Sequence, residues 1–121
     1  MKLAVCAQNE GLEAPVDQRF GRCPYFVILD SESGDLLKSV PNSGVSAAGG
    51  AGPQGARQLS QEGVEAVALG HVGPNAAAAL KAAGIAVYGG VTGTVRDTWQ
   101  LFSEGKLPTV GEATVDPHHG L

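Results

Sequence analysis

Two consecutive stretches, PQGARQLSQEGVEAVALG from Pro53 and PNAAAALKAAGIAVYGG from Pro74, repeat one pattern about 21 residues apart: proline, alanine, leucine, glycine, then a β-branched residue. No other feature restricts the fold as much. Proline suits the first helical position, where the backbone N–H has no partner in any case, and glycine suits the left-handed position just past a helix end. Each copy therefore reads as a helix, opened by Pro53 or Pro74 and closed by Gly63 or Gly84, followed by a strand. Two copies are too few for a solenoid. They predict alternating helices and parallel strands within one sheet.

Upstream, residues 3–8 (LAVCAQ) form a compact apolar run, and YFVILD, Tyr25 to Asp30, is a stronger strand signal through its aromatic and β-branched content. SESGD, residues 31–35, reads as a hairpin turn, with residues 36–40 as the returning strand. Downstream, Thr94 can cap a third helix with Asp97 three residues on, and Gly105 ends it. Val95, Trp99 and Phe102 are its expected buried stripe. The order strand, strand, strand, helix, strand, helix, strand, helix predicts an α/β fold: a five-stranded mixed sheet with the first strand central and three helices on its faces. This is a ribonuclease H-like arrangement. Residues 2–108 are expected to form the domain and residues 109–121 a flexible C-terminal tail, because EATVDPHHGL has no periodicity.

A chain of 121 residues fits one domain, so any function must sit on one scaffold. Its net charge of -4 lacks the basic footprint of phosphate-backbone binding, which argues against a nucleic-acid partner. The start, MKLAVCAQNE, resembles neither a signal peptide nor a membrane span, and two cysteines make no disulfide framework. A cytoplasmic protein with no membrane partner is expected.

Parallel strands place their carboxyl ends together, and open α/β sheets bind ligands at that edge because the loops diverge there. Converging on it are the loop through Cys23, residues 44–52, GHVG at residues 70–73 and GGVTG at residues 89–93. All three helices begin at the same edge, so their unsatisfied N–H groups and positive dipole ends favour an anion. Arg19 and Arg22 supply charge for such a ligand, or else pair with carboxylates such as Glu13 and Asp17. Cys23, beside Arg22, is either a thiolate able to bind metal or a small apolar filler at a strand start. Cys6 reads as core. His71 either faces the crevice as a metal ligand or hydrogen-bond donor, or bonds to backbone. Asp116, His118 and His119 are metal-ligating types, but a tail does not preorganise them.

Several classes are excluded or weakened. There is neither a Walker loop nor a GxGxxG after the first strand. A two-metal nuclease needs clustered carboxylates on the central strand, where this chain has Cys6 and Gln8. A small enzyme with Cys23 as nucleophile or with a phosphorylated substrate, and a regulatory module binding a protein through a sheet edge or the tail, stay open as alternatives.

The segments VDQRFGRCPYFVILD, GAGPQGARQL, GVEAVALGHVGPNAAAALKAAGIAVYGG and GTVRDTWQLFSEGKL resemble, in that order, the nitrogenase iron-molybdenum cofactor-binding accessory proteins and their relatives in organisms without nitrogenase. The resemblance spans residues 2–108. It implies a domain that binds or carries an iron-sulfur or molybdenum-containing metal-sulfur cluster, receives it from a donor protein and hands it to an acceptor, without catalysis. By position, it implies that Arg19, Arg22, Cys23, Gly50, Gly52, His71, Gly90 and Gly93 surround the cluster, with Cys23 and His71 as the metal-ligating types. Many relatives carry histidine before the Phe-Gly pair, where this chain has Arg19, an electrostatic group.

Overall fold

The structure, a computed structural model, describes residues 1–20, 22–43 and 51–110. Its elements run β1 (Lys2–Ala7), β2 (Tyr25–Asp30), β3 (Leu36–Pro41), α1 (Ala51–Gln61), β4 (Ala66–Ala68), α2 (Pro74–Ala82), β5 (Ala86–Tyr88) and α3 (Val95–Ser103). They form one five-stranded sheet in the order β3-β2-β1-β4-β5. β2 is antiparallel to both neighbours, while β1, β4 and β5 run parallel. The expected mixed sheet with a central first strand and three helices is therefore what the chain forms.

Alternation along β1 explains the layering. Ala4 and Cys6 face one core with Phe26, Ile28 and Val67, covered by Leu59 of α1 and Leu80 of α2. Leu3, Val5 and Ala7 face the other, with Val27, Leu29 and Val95 of α3. Because a strand's side chains alternate with period two, a central strand covered on both faces must be apolar throughout, as LAVCA is. Residues 3–7 are all fully buried.

The repeat behaves as its residues require. Gly63 and Gly84 follow the two helices at φ +77° and +75°, a region that glycine enters without a Cβ clash. α1 opens at Ala51, two residues earlier than Pro53 predicts, so Pro53 is a first-turn residue but not the opening one. The first four N–H groups of a helix have no intrahelical partner, so proline is tolerated there too. α3 opens with the expected capping box: Thr94 Oγ1 accepts from Asp97 N–H at 3.2 Å and Asp97 Oδ2 accepts from Thr94 N–H at 3.0 Å. Of its stripe, Val95 is fully buried, whereas Trp99 and Phe102 are partly so. Trp99 packs on the same core as Val95 and also reaches the 31–35 turn, donating from Nε1 to Ser31 O at 2.9 Å.

Residues 109 and 110, assigned by sequence to the tail, are bonded to β5: Tyr88 and Thr109 form an antiparallel bridge, and Val110 N–H donates to Val87 O at 2.8 Å. Among the described residues no helix is long and apolar enough to cross a membrane.

Candidate functional site

The carboxyl ends of β1, β4 and β5 lie at one rim, together with the start of β2 and the end of β3. One segment laces this rim together. After β1 the chain loops out and returns as residues 15–20. Val16 bridges Ala7, and Asp17 N–H donates to Cys6 O at 2.8 Å. Pro15 bridges Thr94, Val16 N–H donates to Gly93 O at 3.0 Å, and Gln18 Nε2 reaches Val91 O at 3.2 Å. Arg19 pairs with His71 in a parallel bridge, through His71 N–H to Gln18 O at 2.5 Å and Phe20 N–H to His71 O at 3.4 Å. Residues 15–20 thus join the connectors that follow β1, β4 and β5.

Glycine at position 70 makes this crossing possible. A Cβ there would stand 2.8 Å from the Gln18 Cα and closer still to its carboxamide. No real Cβ sits that near backbone, so the segment and the GHVG connector can touch only at glycine.

The charged residues point outward from this scaffold. Arg19, Arg22 and His71 are all exposed. Arg19 is tied to Asp17, whose Oδ1 accepts from the Arg19 N–H at 2.9 Å and from its Nε at 3.5 Å. The second contact is long and the Arg19 side chain is 65% exposed, so this ion pair orients the guanidinium without burying it. Glu13, the other carboxylate considered for the arginines, pairs instead with Arg96, at 2.6 Å. α2 begins directly after His71–Val72–Gly73, and its N-cap Gly73 supplies no side-chain cap. Its first N–H groups and positive dipole end therefore stand beside His71. Gly90 and Gly93, in the connector after β5, both have positive φ.

The thiols lie inward. Cys23 has no exposed surface and belongs to the core cluster that contains Cys6. After Arg19 the chain turns sharply, with Cys23 N–H donating to Arg19 O at 3.0 Å. Cys23 Sγ donates to Phe20 O at 3.4 Å, so the side chain that sequence places between cargo and packing is inside. Asn42, just past β3, fastens the same turn: its Nδ2 donates to Cys23 O at 2.9 Å and to Phe20 O at 3.3 Å. Cys6 is also buried, and desolvation pushes its thiol well above the usual range, helped by hydrogen bonding with Cys23 and by the charges of Cys23 and Asp17.

Among the described residues no three His, Cys, Asp or Glu side chains cluster as a metal site. Gly52 lies in the first turn of α1, not in a loop before it. Gly50, with most of the 44–52 loop, and the Asp116, His118 and His119 tail lie outside the described residues. Gln18 and Asn42 were not singled out by sequence. Their partners are backbone carbonyls 73 and 19–22 residues away, which no local pattern marks.

The fold and rim define a class: a small α/β domain whose connectors are laced into a positively decorated edge. Comparison with known proteins places it further. The family model for dinitrogenase iron-molybdenum cofactor proteins matches residues 1–105, and the chain belongs to that family. It is 32% identical over 109 residues to an uncharacterized protein of Methanocaldococcus jannaschii, covering 88% of this chain and 89% of that one. The apo form of the orange protein from Desulfovibrio gigas superposes with a TM-score of 0.86 at 36% identity, over 93% of this chain and 94% of that one. A candidate NifB protein from Thermotoga superposes with a TM-score of 0.80 at 38% identity, over 93% and 96% of the two chains.

Proposed function

We propose that this protein binds an anionic metal-sulfur cluster, iron-sulfur or molybdenum-containing, at the laced rim and carries it between a donor and an acceptor protein in cofactor assembly, without catalysing a reaction. The observation that carries this reading is the Arg19–His71 bridge, which sets two exposed basic-type side chains beside the uncapped start of α2. Family membership supports it. So does the similarity to the orange protein from Desulfovibrio gigas, whose structure is that of the apo form.

The donor set fits a cargo held mainly as an anion. Arg19, Arg22, the first-turn amides of α2 and the Gly90–Gly93 connector offer N–H groups and positive charge, and His71 is an exposed imidazole able to ligate a metal. Cys23 holds the Arg19–Cys23 turn from beneath. Direct ligation would require its sulfur to leave the core and give up Phe20 O. Weak ligation suits a carrier, which must release what it holds. The strand order with β2 antiparallel to its neighbours supports the ribonuclease H-like assignment as well. Burial of Cys23 gives the nucleophile alternative no support.

Purification without oxygen, followed by metal and acid-labile sulfide analysis, tests the reading. Co-purifying sulfide with iron or molybdenum in constant ratio to protein is expected. Folded protein that carries neither, and takes up neither from iron-sulfur or thiomolybdate salts, would count against it.

A further inference from the structure

Two free thiols are enclosed in one core. Cys6 and Cys23 are both fully buried and both belong to the cluster between the sheet and helices α1 and α2. Cys6 stands opposite Phe26 in the β1–β2 register, and the Phe26 ring packs on that of Phe20 at 5.6 Å. The Phe20 carbonyl accepts from Cys23 Sγ at 3.4 Å, and the two thiols hydrogen-bond to one another. Thiols in such contact are within a side-chain adjustment of bonding distance.

The two differ in how they can be reached. β1 is paired on both sides, with β2 and with β4, so exposing Cys6 requires opening the sheet. Cys23 precedes β2, in a turn closed by Arg22 and Cys23 N–H on Arg19 O at 3.3 and 3.0 Å and by Asn42 Nδ2 on Cys23 O at 2.9 Å. Losing these few bonds exposes Cys23 while the sheet persists. Asn42 Nδ2 also reaches Phe20 O at 3.3 Å, so that carbonyl keeps a donor if Cys23 Sγ turns to Cys6.

We propose that Cys6 and Cys23 form a reversible redox latch, closed by a small-molecule disulfide, that fastens the turn carrying Arg19 and Arg22 to the central strand. It goes beyond cargo binding and does not depend on it. When the turn opens, Cys23 gives its proton to water and its thiolate attacks one sulfur of the small disulfide; that S–S bond breaks and one small thiol leaves, protonated from solvent. When the turn recloses, Cys6 gives up its proton and attacks Cys23 Sγ, breaking the mixed disulfide and releasing the second small thiol. The protein sulfurs are oxidised to a disulfide and the small disulfide is reduced to two thiols; excess thiol reverses the exchange.

Mass spectrometry of the folded full chain incubated with glutathione disulfide tests this. The expected product is a monomer lighter by two hydrogens, with Cys6 and Cys23 joined in peptide maps and both thiols restored by dithiothreitol. In urea the closed loop should lower the unfolding equilibrium constant roughly 100-fold. Cys6→Ser should stop with glutathione on Cys23, whereas folded Cys23→Ser should stay unmodified at Cys6. A parental chain that keeps both thiols, or gathers mixed or intermolecular disulfides without the internal bridge, would overturn the proposal whether or not the variants fold. Glutathione on Cys6 of folded Cys23→Ser, gained as fast as on Cys23 of Cys6→Ser, would overturn it too, because the fold would then not set the order of attack.

Discussion

At the end of the sheet where β1, β4 and β5 begin, the chain turns quickly: residues 31–35 join β2 to β3, residues 62–65 lead into β4 and residues 83–85 into β5. At the opposite end lies the long connection between β1 and β2. Residues 8–24 follow β1, and they bond to the connectors after β4 and β5 through backbone groups. The first end draws on local devices, Gly63, Gly84 and the Asp30 carboxylate accepting from Glu32 and Ser33 N–H at 2.8 and 3.2 Å, with single long-range ties such as Trp99 Nε1 to Ser31 O. The second is stabilised by long-range crossings, and it carries Arg19, Arg22 and His71. Short, locally satisfied turns leave little backbone to offer a ligand. Divergent connectors leave a crevice whose lining can change while the sheet beneath stays intact.

Changes to the shared core should weaken both ends alike. Phe26→Ala removes a fully buried ring that stacks at 5.6 Å on Phe20, and a loss of about 3–5 kcal/mol is expected in denaturant unfolding. Gly70→Val should separate the ends. The added side chain meets the Gln18 backbone, costing about 1–3 kcal/mol by overpacking, and cluster retention should fall further than that loss of stability explains. If retention at full folding matched the parental protein, the crossing of residues 15–20 over GHVG would not shape the site.

Alkaline pH provides a third probe. The folded Cys6 thiol is raised, chiefly by burial, so above the unfolded thiol value of about 8.5 the unfolded chain loses a proton that the folded chain keeps. Stability should be flat below that pH and fall above it by up to about 1.4 kcal/mol per pH unit, with Cys6→Ala reducing the slope. An unchanged slope in that variant would contradict the assignment. The smallest effect is expected at the surface. Glu13→Gln breaks the 2.6 Å pair with Arg96, but both side chains are more than half exposed, so unfolding should move by less than about 1 kcal/mol.

Much of this architecture was legible in the residues, because its signals are local. Proline and glycine punctuation marked the helices of the repeat, alternation and β-branching marked β2, and Thr94 with Asp97 marked α3. The convergence of connectors followed from strand direction alone. What did not follow was the depth of each side chain. Cys23 stands between exposed Arg22 and apolar YFVILD, and its burial is decided by the turn that Arg19 O, Phe20 O and Asn42 close around it. Arg19 and Arg22 could be proposed for the rim, but not the hydrogen bond of Gln18 to Val91 that helps hold it. Trp99 keeps its place in the helix stripe, but its second contact, with the turn at Gly34 where glycine leaves room for the indole, had no local signal.

The central claim is that charge and amides at the rim, not buried thiols, retain the cargo. Anaerobic titration with tetrathiomolybdate or a synthetic iron-sulfur cluster, read as the absorbance that stays with protein after desalting, tests it most directly on the parental chain, Arg19→Ala/Arg22→Ala and Cys23→Ser. The account predicts stoichiometric colour on the parental chain, at least a tenfold weaker hold in the arginine variant, and a hold within about threefold of parental in folded Cys23→Ser, at ~1.4 kcal/mol per tenfold. Colour lost with Cys23 but kept without the arginines would contradict it.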